Sequence, residues 1–472
     1  MRNAKWKYIK DPVHGLIRIS VDDLKIIDTP LFQRLRNIHH MGTGYLTYPG
    51  ATHTRFEHSL GVAELGKSVL DSIICNSHGD PKTIWDIEDD ELEIMKKTVR
   101  YACLLHDIGH APFSHTCESF FRDEVKKITP EITSKINFLM QDGETSETIL
   151  IKKADHEVVS CYIVLTEYKT ILEGLGVDPR SVGALILGRV NKEVNSKYHR
   201  NYKILAEIVN SPIDVDKFDY LIRDNYMTGA ALISLDRERL LSAYIVSEES
   251  LVLSGKALSL ISNLIIGRQQ VYMWIYQHHK VVYTNALLEK ILKALIQNGK
   301  IKPDFFSVNS IVNKKIDDFT VISEIRRITE DDSVKDIDNI KDMYNTWRTR
   351  KFLKSCWKNA FEFNSKIKSD NARKNLNTDV IRPRNLEEKI SQAVGINREN
   401  ILVAGAKFVP FAPGTGLDIS IEIDGINKDV ATSLELTTQG VMKYCQVPYV
   451  YTEESKIDDV IKYLQTYTTS FH

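Results

Sequence analysis

The stretch RYACLLHDIGHAPFSHTCE, residues 100–118, decides how this chain is interpreted. Its apolar first part predicts a buried helix that anchors the adjacent pair His106 and Asp107 in a hydrophobic core. His110 follows His106 by four residues and lies on the same helix face if the helix continues. An imidazole nitrogen beside a carboxylate oxygen suits a divalent metal such as Fe, Mn, Ni or Zn. The stretch therefore predicts a metal site on a buried helix.

The residues after this pair are expected to leave the helix. Gly109 and Pro112 are helix breakers, so we expect His115 to lie on a turn that faces the same space. A lone histidine in such a helix is more often a hydrogen-bonded core residue than a metal ligand. Here three histidines and one aspartate fall within ten residues, 106–115, and this density favours a site.

The composition is that of an ordinary globular protein. The chain has 472 residues, 43% hydrophobic and 26% charged, enough for one large domain and a smaller one, or for two to three ordinary domains. A formal net charge of −1 gives no electrostatic reason to expect nucleic acid or an anionic membrane as a partner. Six scattered cysteines without a CxxC pair are typical of reduced thiols in the cytoplasm. We expect no signal peptide, because the N-terminus is charged, and no transmembrane helix, because no apolar run approaches about 18 residues.

Hydrophobic periodicity predicts a mainly α fold with a smaller C-terminal α+β region. A strand pair is expected within residues 1–20, and helices dominate to residue 300, including 236–246. We expect three parts: a helical core (1–300), a helical extension and linker (301–380) and an α+β domain (381–472). Residues 119–150 are expected to be an insertion, and 373–385 a linker with helix breakers. The expected C-terminal elements are helices at 386–394 and 455–467 and strands at 401–408, 417–423, 431–436 and 446–451.

Two further clusters carry metal-binding residue types. HTRFEHSLG, residues 53–61, places His58 within a predicted helix, and DVDKFDYLIRD, residues 214–224, places Asp216 in another. Each cluster alone is compatible with an ordinary helix, and the acidic one is more typical of a solvated helix face. Together with the adjacent pair, they supply four nitrogen and oxygen ligands: His58, His106, Asp107 and Asp216. Four protein ligands leave open positions on a six-coordinate metal, where water and a phosphate oxygen can bind.

Cationic and proton-donating side chains are also available for a phosphate ester. Arg55 and Arg268 are candidates to clamp phosphate, because guanidinium groups bind it in a bidentate manner, and Lys217 can add a charge. His156 titrates near neutrality and is a candidate proton donor to the leaving oxygen, with Glu118 as the group that holds it. By spacing alone, an exposed histidine at a helix start is an equally good interpretation of His156.

These motifs carry a resemblance to a known family. A histidine, then an adjacent histidine–aspartate pair, then a distant aspartate is the order of ligands in the HD-domain phosphohydrolase superfamily. More narrowly, the chain resembles the HD-domain deoxynucleoside triphosphate triphosphohydrolases, without the sterile-alpha-motif domain, and residues 1–300 would be the HD core. The matching stretches fall within residues 7–280, with a weaker match to residue 354, and are YIKDPVHGLIRI, IIDTPLFQRLRNI, YPGATHTRFEHSLGVAEL, ACLLHDIGHAPFSH, DHE, IDVDKFDYLIRD and IYQHHK.

The resemblance implies a reaction and roles for the matched positions. Water would attack the α-phosphorus of a deoxynucleoside triphosphate carrying Mg, giving a deoxynucleoside and inorganic triphosphate. The metal ligands would be His58, His106, Asp107 and Asp216. The catalytic residues would be His115 and His156, with Glu118 where the family often has Asp. The triphosphate would contact His110, Arg55, Lys217 and Arg268. The sugar would contact Tyr220, Asp224 and Tyr276. The spacing of Tyr276 alone is more typical of an aromatic core stripe.

One position departs from the family. The family commonly has Gln-Leu before the glycine at position 42, where this chain has His40-Met41, so His40 stands at a position that reads the sugar 3′-hydroxyl.

The resemblance also implies regulation. Enzymes of this kind are often homotetramers activated by nucleotides, so we expect a dimer or tetramer and activation by GTP or a deoxynucleotide. Asp28, Gln33 and Arg36 match positions that read guanine, and Arg239, Lys256, Arg350 and Lys354 match basic positions that hold activator phosphates.

Two other functions remain open. One is a different HD phosphohydrolase, acting on a nucleoside monophosphate, a cyclic dinucleotide or an alarmone. The other is a non-catalytic nucleotide sensor or nucleic-acid-binding module that uses the same pocket. Inorganic triphosphate is the product that distinguishes the first reaction from these alternatives.

Overall fold

The computed structural model describes residues 6–76, 85, 87–122, 134, 155–191, 193–194, 196–247, 250–405, 420–423, 426–429 and 447–468. The helices are α1 (Val21–Ile27), α2 (Pro30–Gln33), α3 (Arg55–Asn76), α4 (Asp89–Leu105), α5 (Asp155–Thr166), α6 (Lys169–Gly174), α7 (Pro179–Ile186), α8 (His199–Val209), α9 (Val215–Thr228), α10 (Arg237–Leu241), α11 (Leu258–Val271), α12 (His279–Gln297), α13 (Asp318–Glu330), α14 (Asp338–Thr349), α15 (Ala360–Lys366), α16 (Asp370–Asp379), α17 (Pro383–Val394) and α18 (Ile457–Gln465). The strands are β1 (Trp6–Asp11), β2 (Gly15–Ser20), β3 (Tyr244–Ser247), β4 (Ser250–Ser254), β5 (Lys354–Ser355), β6 (Leu402–Ala404), β7 (Ser420–Ile423), β8 (Ile426–Asp429) and β9 (Tyr449–Thr452). The expected mainly α class is confirmed.

Local sequence signals set the ends of the helices around the site. Helix α2 starts at Pro30, where a missing N–H costs nothing, and the Thr29 hydroxyl caps it by accepting from Phe32 N. Helix α9 starts after Asp214, whose carboxylate accepts from Lys217 N, and it stops at Gly229, which has a φ of +67°. The cap at Asp214 fixes the start of α9, and Asp216 lies in the first turn after it.

The core of the site is three helices in contact. Helices α4 and α9 both pack against α3, and apolar side chains from α3 and α4 fill the space between them, including Leu65, Val69, Val99 and Ala102. Burial of such side chains stabilises the packing by roughly 1.5–3 kcal/mol each. The packing brings together the start of α3, the end of α4 and the start of α9.

Three small sheets lie around the helices. Strands β1 and β2 form an antiparallel hairpin from Trp6 opposite Ser20 to Asp11 opposite Gly15, as expected for residues 1–20. Strand β4 pairs antiparallel with β3 and parallel with β7, which pairs with β8. In the third sheet, β9 pairs antiparallel with both β5 and β6.

The structure corrects several expected elements. Residues 236–246 are only partly helical, because the β-branched segment from Tyr244 pairs with β4. Residues 373–385 were expected to be a linker, yet α16 and α17 cover most of them, since Pro383 takes the first helical position, where proline is tolerated.

The expected C-terminal elements are met in part. Strand β6 accounts for three residues of 401–408, β7 for the end of 417–423, and α17 and α18 match the two expected helices. The strand expected at 431–436 lies outside the described residues, as does most of the insertion expected at 119–150. In the described part of the chain, none of the helices is both long and apolar enough to cross a bilayer.

Candidate functional site

The four predicted metal ligands meet at one point. His58 lies in the first turn of α3, and its Nε2 is 3.0 Å from Asp216 Oδ1 and 3.6 Å from Asp107 Oδ2. His106 Nε2 is 3.3 Å from His58 Nε2 and 3.4 Å from Asp107 Oδ1. The start of α3, the end of α4 and the start of α9 thus direct two imidazoles and two carboxylates toward one small volume.

Helix α4 ends at Leu105, so it does not continue to His110 as one expectation required. His106 and Asp107 leave the helix end instead, and His110 N donates to Asp107 O across a turn. His110 still approaches the cluster, since its Nε2 is 3.2 Å from Asp107 Oδ1. The turn, rather than a shared helix face, therefore brings His110 to the site.

Hydrogen bonds behind the two imidazoles fix their tautomers. His58 Nδ1 is 2.8 Å from Asp219 Oδ2, and His106 Nδ1 is 2.8 Å from the Cys103 carbonyl oxygen. Carboxylate and carbonyl oxygens only accept, so Nδ1 donates in both rings and the Nε2 lone pairs are directed inward. The two Nε2 atoms, 3.3 Å apart, can therefore share one cation, which is a metal ion or, when no metal is bound, a proton on His58.

Neighbouring charges shift the pKa values of the residues in the cluster. Burial lowers the pKa of His58, but the carboxylates of Asp216 and Asp219 outweigh that effect and raise the pKa to about 10. Burial raises the pKa of Asp107, but Arg55 and the adjacent histidines hold it well below its usual range. A proton on His58 thus supplies positive charge in the metal-free protein. A divalent cation fits the same ligands, because two imidazoles and two carboxylates are a typical set for Fe, Mn, Ni or Zn.

A buried ionic network holds His58 from behind. Asp219 accepts from Arg223 Nε at 2.7 Å and lies 2.5 Å from His14 Nε2, while Arg223 Nη1 donates to Asp11 Oδ2 at 2.8 Å. None of these four residues has a role predicted from the sequence. Asp11 and His14 lie in the quoted motif YIKDPVHGLIRI, and Asp219 and Arg223 are four residues apart in IDVDKFDYLIRD, which is a signal for a helix-face ion pair.

A second histidine group lies beside the first. Glu118 joins two rings: its Oε2 is 2.8 Å from His115 Nδ1 and its Oε1 is 2.8 Å from His156 Nδ1. His110 stacks on His156 with ring centroids 3.9 Å apart and an interplanar angle of 15°. Burial lowers the pKa of His156, but Glu118 outweighs it and raises the pKa to about 9. His156 is therefore protonated at neutral pH and mostly buried, whereas the His115 side chain is 63% exposed.

The turn that carries His115 is strained, and a residue about 200 positions later in the chain accepts hydrogen bonds that stabilise it. Phe113 and Ser114 have φ values of +54° and +52°, which non-glycine residues rarely adopt. The buried Asp318, at the start of α13, accepts from Phe113 N at 2.5 Å and from His39 N at 2.9 Å. Arg34 reinforces the same loop by donating to the His110 carbonyl at 2.5 Å. Sequence reasoning missed both Asp318 and Arg34.

The candidate phosphate-binding cations differ in their surroundings. Arg55 Nη1 donates to Asp107 Oδ2 at 2.7 Å and its Nε donates to Ser114 Oγ at 2.9 Å, so Arg55 borders the metal cluster. Lys217 pairs with Asp214 at 2.5 Å on α9. Arg268 is buried on α11, with its guanidinium carbon 5.8 Å from the centre of the Tyr272 ring.

The candidate sugar-binding residues converge on Asp224. Its Oδ1 is 2.6 Å from His53 Nε2 and 3.1 Å from His40 Nδ1, and its Oδ2 accepts from the Tyr276 hydroxyl. Tyr276 ends a π-helical turn, Tyr272–Tyr276, and such turns are frequent at functional sites. The Tyr220 ring lies 6.5 Å from the Tyr276 ring. His53 was not among the predicted site residues, although its motif was.

The candidate activator residues fall into two sets. Gln33 and Arg36 are neighbours near the exposed Asp28: Gln33 Nε2 donates to the Ile27 carbonyl at 2.8 Å, and Arg36 Nε donates to Gln33 Oε1 at 2.8 Å. The basic set is exposed and lies at four separate places in the chain: Arg239 on α10, Lys256 after β4, Arg350 after α14 and Lys354 on β5.

Two family models match the chain: the HD domain over residues 55–223 and the HD-associated region over residues 235–412. The chain therefore contains an HD domain followed by an HD-associated region. This confirms the resemblance seen in the motifs. The HD-domain match includes all four clustered ligands, and Asp318 lies in the HD-associated region.

The chain is similar to several known proteins. The uncharacterized protein YwfO of Bacillus subtilis is 32% identical over 294 residues, covering 61% of this chain and 56% of YwfO. The deoxynucleoside triphosphate triphosphohydrolase SAMHD1 of Homo sapiens is 27% identical over 342 residues, covering 69% of this chain and 49% of SAMHD1. This HD protein thus spans about half the length of these relatives. A crystal structure of a phosphohydrolase from Bacteroides thetaiotaomicron shares the fold, with a TM-score of 0.64, 22% identity, and coverage of 95% of this chain and 100% of that one.

Proposed function

We propose that this HD protein hydrolyses deoxynucleoside triphosphates to a deoxynucleoside and inorganic triphosphate, using a divalent metal held by His58, His106, Asp107 and Asp216. The observation that carries the proposal is the convergence of two imidazole Nε2 atoms and two carboxylates from three helices. When bound, the metal would lower the pKa of a coordinated water and polarise the phosphorus. The activity named for human SAMHD1 supports this substrate class.

His156 is the proposed acid that protonates the leaving 5′-oxygen. Its Nδ1 donates to Glu118, so the proton available for transfer is on Nε2. The raised pKa, about 9, keeps that proton in place at neutral pH. His115 shares the same carboxylate and, being more exposed, is the proposed proton exchanger with solvent.

The remaining residues are proposed to bind the nucleotide. Arg55, at the edge of the cluster, is proposed to bind the α-phosphate, because it can donate to phosphate in place of Asp107. The other proposed phosphate contacts, to a triphosphate that carries Mg, are His110, Lys217 and Arg268. The proposed sugar contacts are Tyr220, Asp224 and Tyr276.

Regulation by nucleotides is a further part of this proposal. The surface formed by Asp28, Gln33 and Arg36 offers a carboxylate, an amide and a guanidinium, which together can read the edge of a guanine. Activator phosphates would bind Arg239, Lys256, Arg350 and Lys354 in a homo-oligomer. Sedimentation of the protein with and without GTP tests this part, with nucleotide-dependent assembly as the expected result.

The test of the function is product analysis. Protein loaded with Mn²⁺ or Fe²⁺ is incubated with each deoxynucleoside triphosphate, with and without GTP, and the products are separated by anion-exchange chromatography. We expect equal amounts of deoxynucleoside and inorganic triphosphate, and neither with His106→Ala. Hydrolysis of only a nucleoside monophosphate, a cyclic dinucleotide or an alarmone would replace this function with another HD phosphohydrolase activity. Nucleotide binding without any hydrolysis would indicate that the protein is a non-catalytic nucleotide sensor.

A further inference from the structure

His40 has the same hydrogen-bonding arrangement as the two histidines of the metal cluster. Its Nδ1 is 3.1 Å from Asp224 Oδ1, just as His58 and His106 use Nδ1 to donate to an oxygen. A carboxylate only accepts, so Nδ1 of His40 carries the proton and Nε2 keeps its lone pair. Among the described residues, no hydrogen-bond partner takes up that lone pair. A histidine whose other ring nitrogen donates to a carboxylate is the usual form of a metal ligand.

The position of His40 agrees with this role. A ring nitrogen of His40, a ring nitrogen of His58 and a carboxylate oxygen of Asp107 all lie within 4.8 Å of one another. The rings of His40 and His58 have centroids 4.4 Å apart and are tilted by 45°. Ligands about 2.1 Å from a metal are about 3 Å apart when adjacent and about 4 Å apart when opposite. His40 is therefore within a small movement of the coordination sphere.

The backbone around His40 is fixed. His40 N donates to the His53 carbonyl at 3.1 Å, and the His40 carbonyl accepts from Arg55 Nη2 at 3.4 Å. The residue is buried, with 8% of its surface exposed. The ring therefore has few alternative orientations.

A separate metal site formed by His40, His53 and Asp224 explains the geometry less well. His53 Nε2 lies 2.6 Å from Asp224 Oδ1, which is a hydrogen-bond distance, and adjacent ligands of one metal are about 3 Å apart. Asp224 Oδ2 is already occupied by the Tyr276 hydroxyl. Asp224 thus acts as an anchor that holds His40 Nδ1, and Nε2 is the nitrogen that remains available as a ligand.

We propose that His40 is a third imidazole ligand of the HD metal, giving a set of three nitrogens and two carboxylates. This inference rests on the metal centre of the proposed function. It differs from the sugar-reading role implied by the amide that the family has at this position. The added imidazole would favour Fe, Co, Ni or Zn over Mn or Mg.

The test counts imidazoles at the metal. Full-length protein is loaded with Co²⁺, and X-ray absorption spectra are recorded, because multiple scattering from imidazole rings reports their number. We expect three imidazoles in the wild type, two in His40→Gln and three in His53→Gln. The His53 variant is the matched control, since it changes a neighbour on the same Asp224 anchor. In competition with a chelator, His40→Gln is expected to bind Co²⁺ at least about tenfold more weakly than the wild type.

The wild-type spectrum decides the outcome even if a variant fails to fold. Two imidazoles in a metal-loaded wild type would overturn the role of His40 and leave the proposed function intact. A wild type that binds no Co²⁺, Mn²⁺ or Fe²⁺ would overturn both. Loss of one imidazole in His53→Gln but not in His40→Gln would also refute the assignment.

Discussion

Replacing Gly61 with alanine is expected to break the network that orients His58. Gly61 lies one turn after His58 on α3, where α9 crosses. A Cβ at this position would overlap with Asp219 Oδ1 and lie only 2.5 Å from Arg223 Nη2 and 2.8 Å from His14 Nε2. Non-bonded heavy atoms are comfortable at about 3.5 Å, so Asp219 must move or the helices must separate. Both movements act on a carboxylate that is fully buried.

The cost follows from these contacts. Overpacking a rigid core costs about 1–3 kcal/mol. Displacing Asp219 from a charged hydrogen-bond partner costs a further 1.5–3 kcal/mol or so. Alanine recovers about 1 kcal/mol through its higher helix propensity. We therefore expect Gly61→Ala to lower the free energy of unfolding by about 1.5–5 kcal/mol. Because Asp219 would no longer fix the His58 ring, metal affinity should also fall about 10- to 100-fold.

The assay is urea unfolding of metal-free protein, followed by metal titration. Gly174→Ala is the matched control, because Gly174 ends α6 and a Cβ there would have no atom within 4 Å. The control should change the free energy of unfolding by no more than about 1 kcal/mol, and we expect the change to be an increase in stability. If Gly61→Ala unfolds at the same urea concentration as Gly174→Ala and binds metal as tightly as the wild type, the reasoning about this network is refuted.

Three further results are expected. Asp318→Ala removes the acceptor that holds Phe113 N and should lower kcat about 100-fold through misplacement of the turn, with metal content unchanged. Asp318→Asn, which keeps a carbonyl oxygen, should recover most of the rate. Equal rates for the wild type and Asp318→Ala would contradict the role of Asp318 in positioning the turn. His156 must be protonated to act as an acid, so kcat should fall as pH rises through about 9, and Glu118→Gln should shift that fall toward about 6.5. An identical pH profile in the two proteins would exclude Glu118 as the cause. His106→Ala should lose the metal, as measured by atomic absorption, and should lose hydrolysis with it.

The sequence predicts those parts of the site that are encoded locally. Apolar periodicity predicts α3 and α4, and the ligand types in three motifs predict which residues meet. Helix caps are also local, as Thr29 and Pro30 show at the start of α2. Errors arise where tertiary pairing overrides a local pattern. The segment from Tyr244 reads as helical but pairs as a strand, because β4 offers it a partner with matching alternation.

The supporting residues were missed because their partners are distant in sequence. His14 and Asp219 are 205 residues apart, and so are Phe113 and Asp318. No periodicity links such pairs, and an aspartate such as Asp219 or Asp318 is, from sequence alone, typical of a solvated charge. An unpaired charge inside the core would be costly, so each buried carboxylate must pair with a counter-charge or a hydrogen-bond donor. The pairing then holds the partner residue in place. Only the folded arrangement shows which one it finds.

Helix α4 ends at Leu105, and this end leaves a backbone carbonyl group available to orient His106. The last four carbonyl groups of a helix have no N–H partner within that helix, and Cys103 is among them because α4 ends at Leu105. The Cys103 carbonyl accepts from His106 Nδ1, which fixes the tautomer and directs Nε2 toward His58. A helix continuing to His110 would place a backbone N–H against that carbonyl and compete with the ring. The end of the helix therefore supplies the acceptor that makes His106 a ligand, in the role that Asp219 performs for His58.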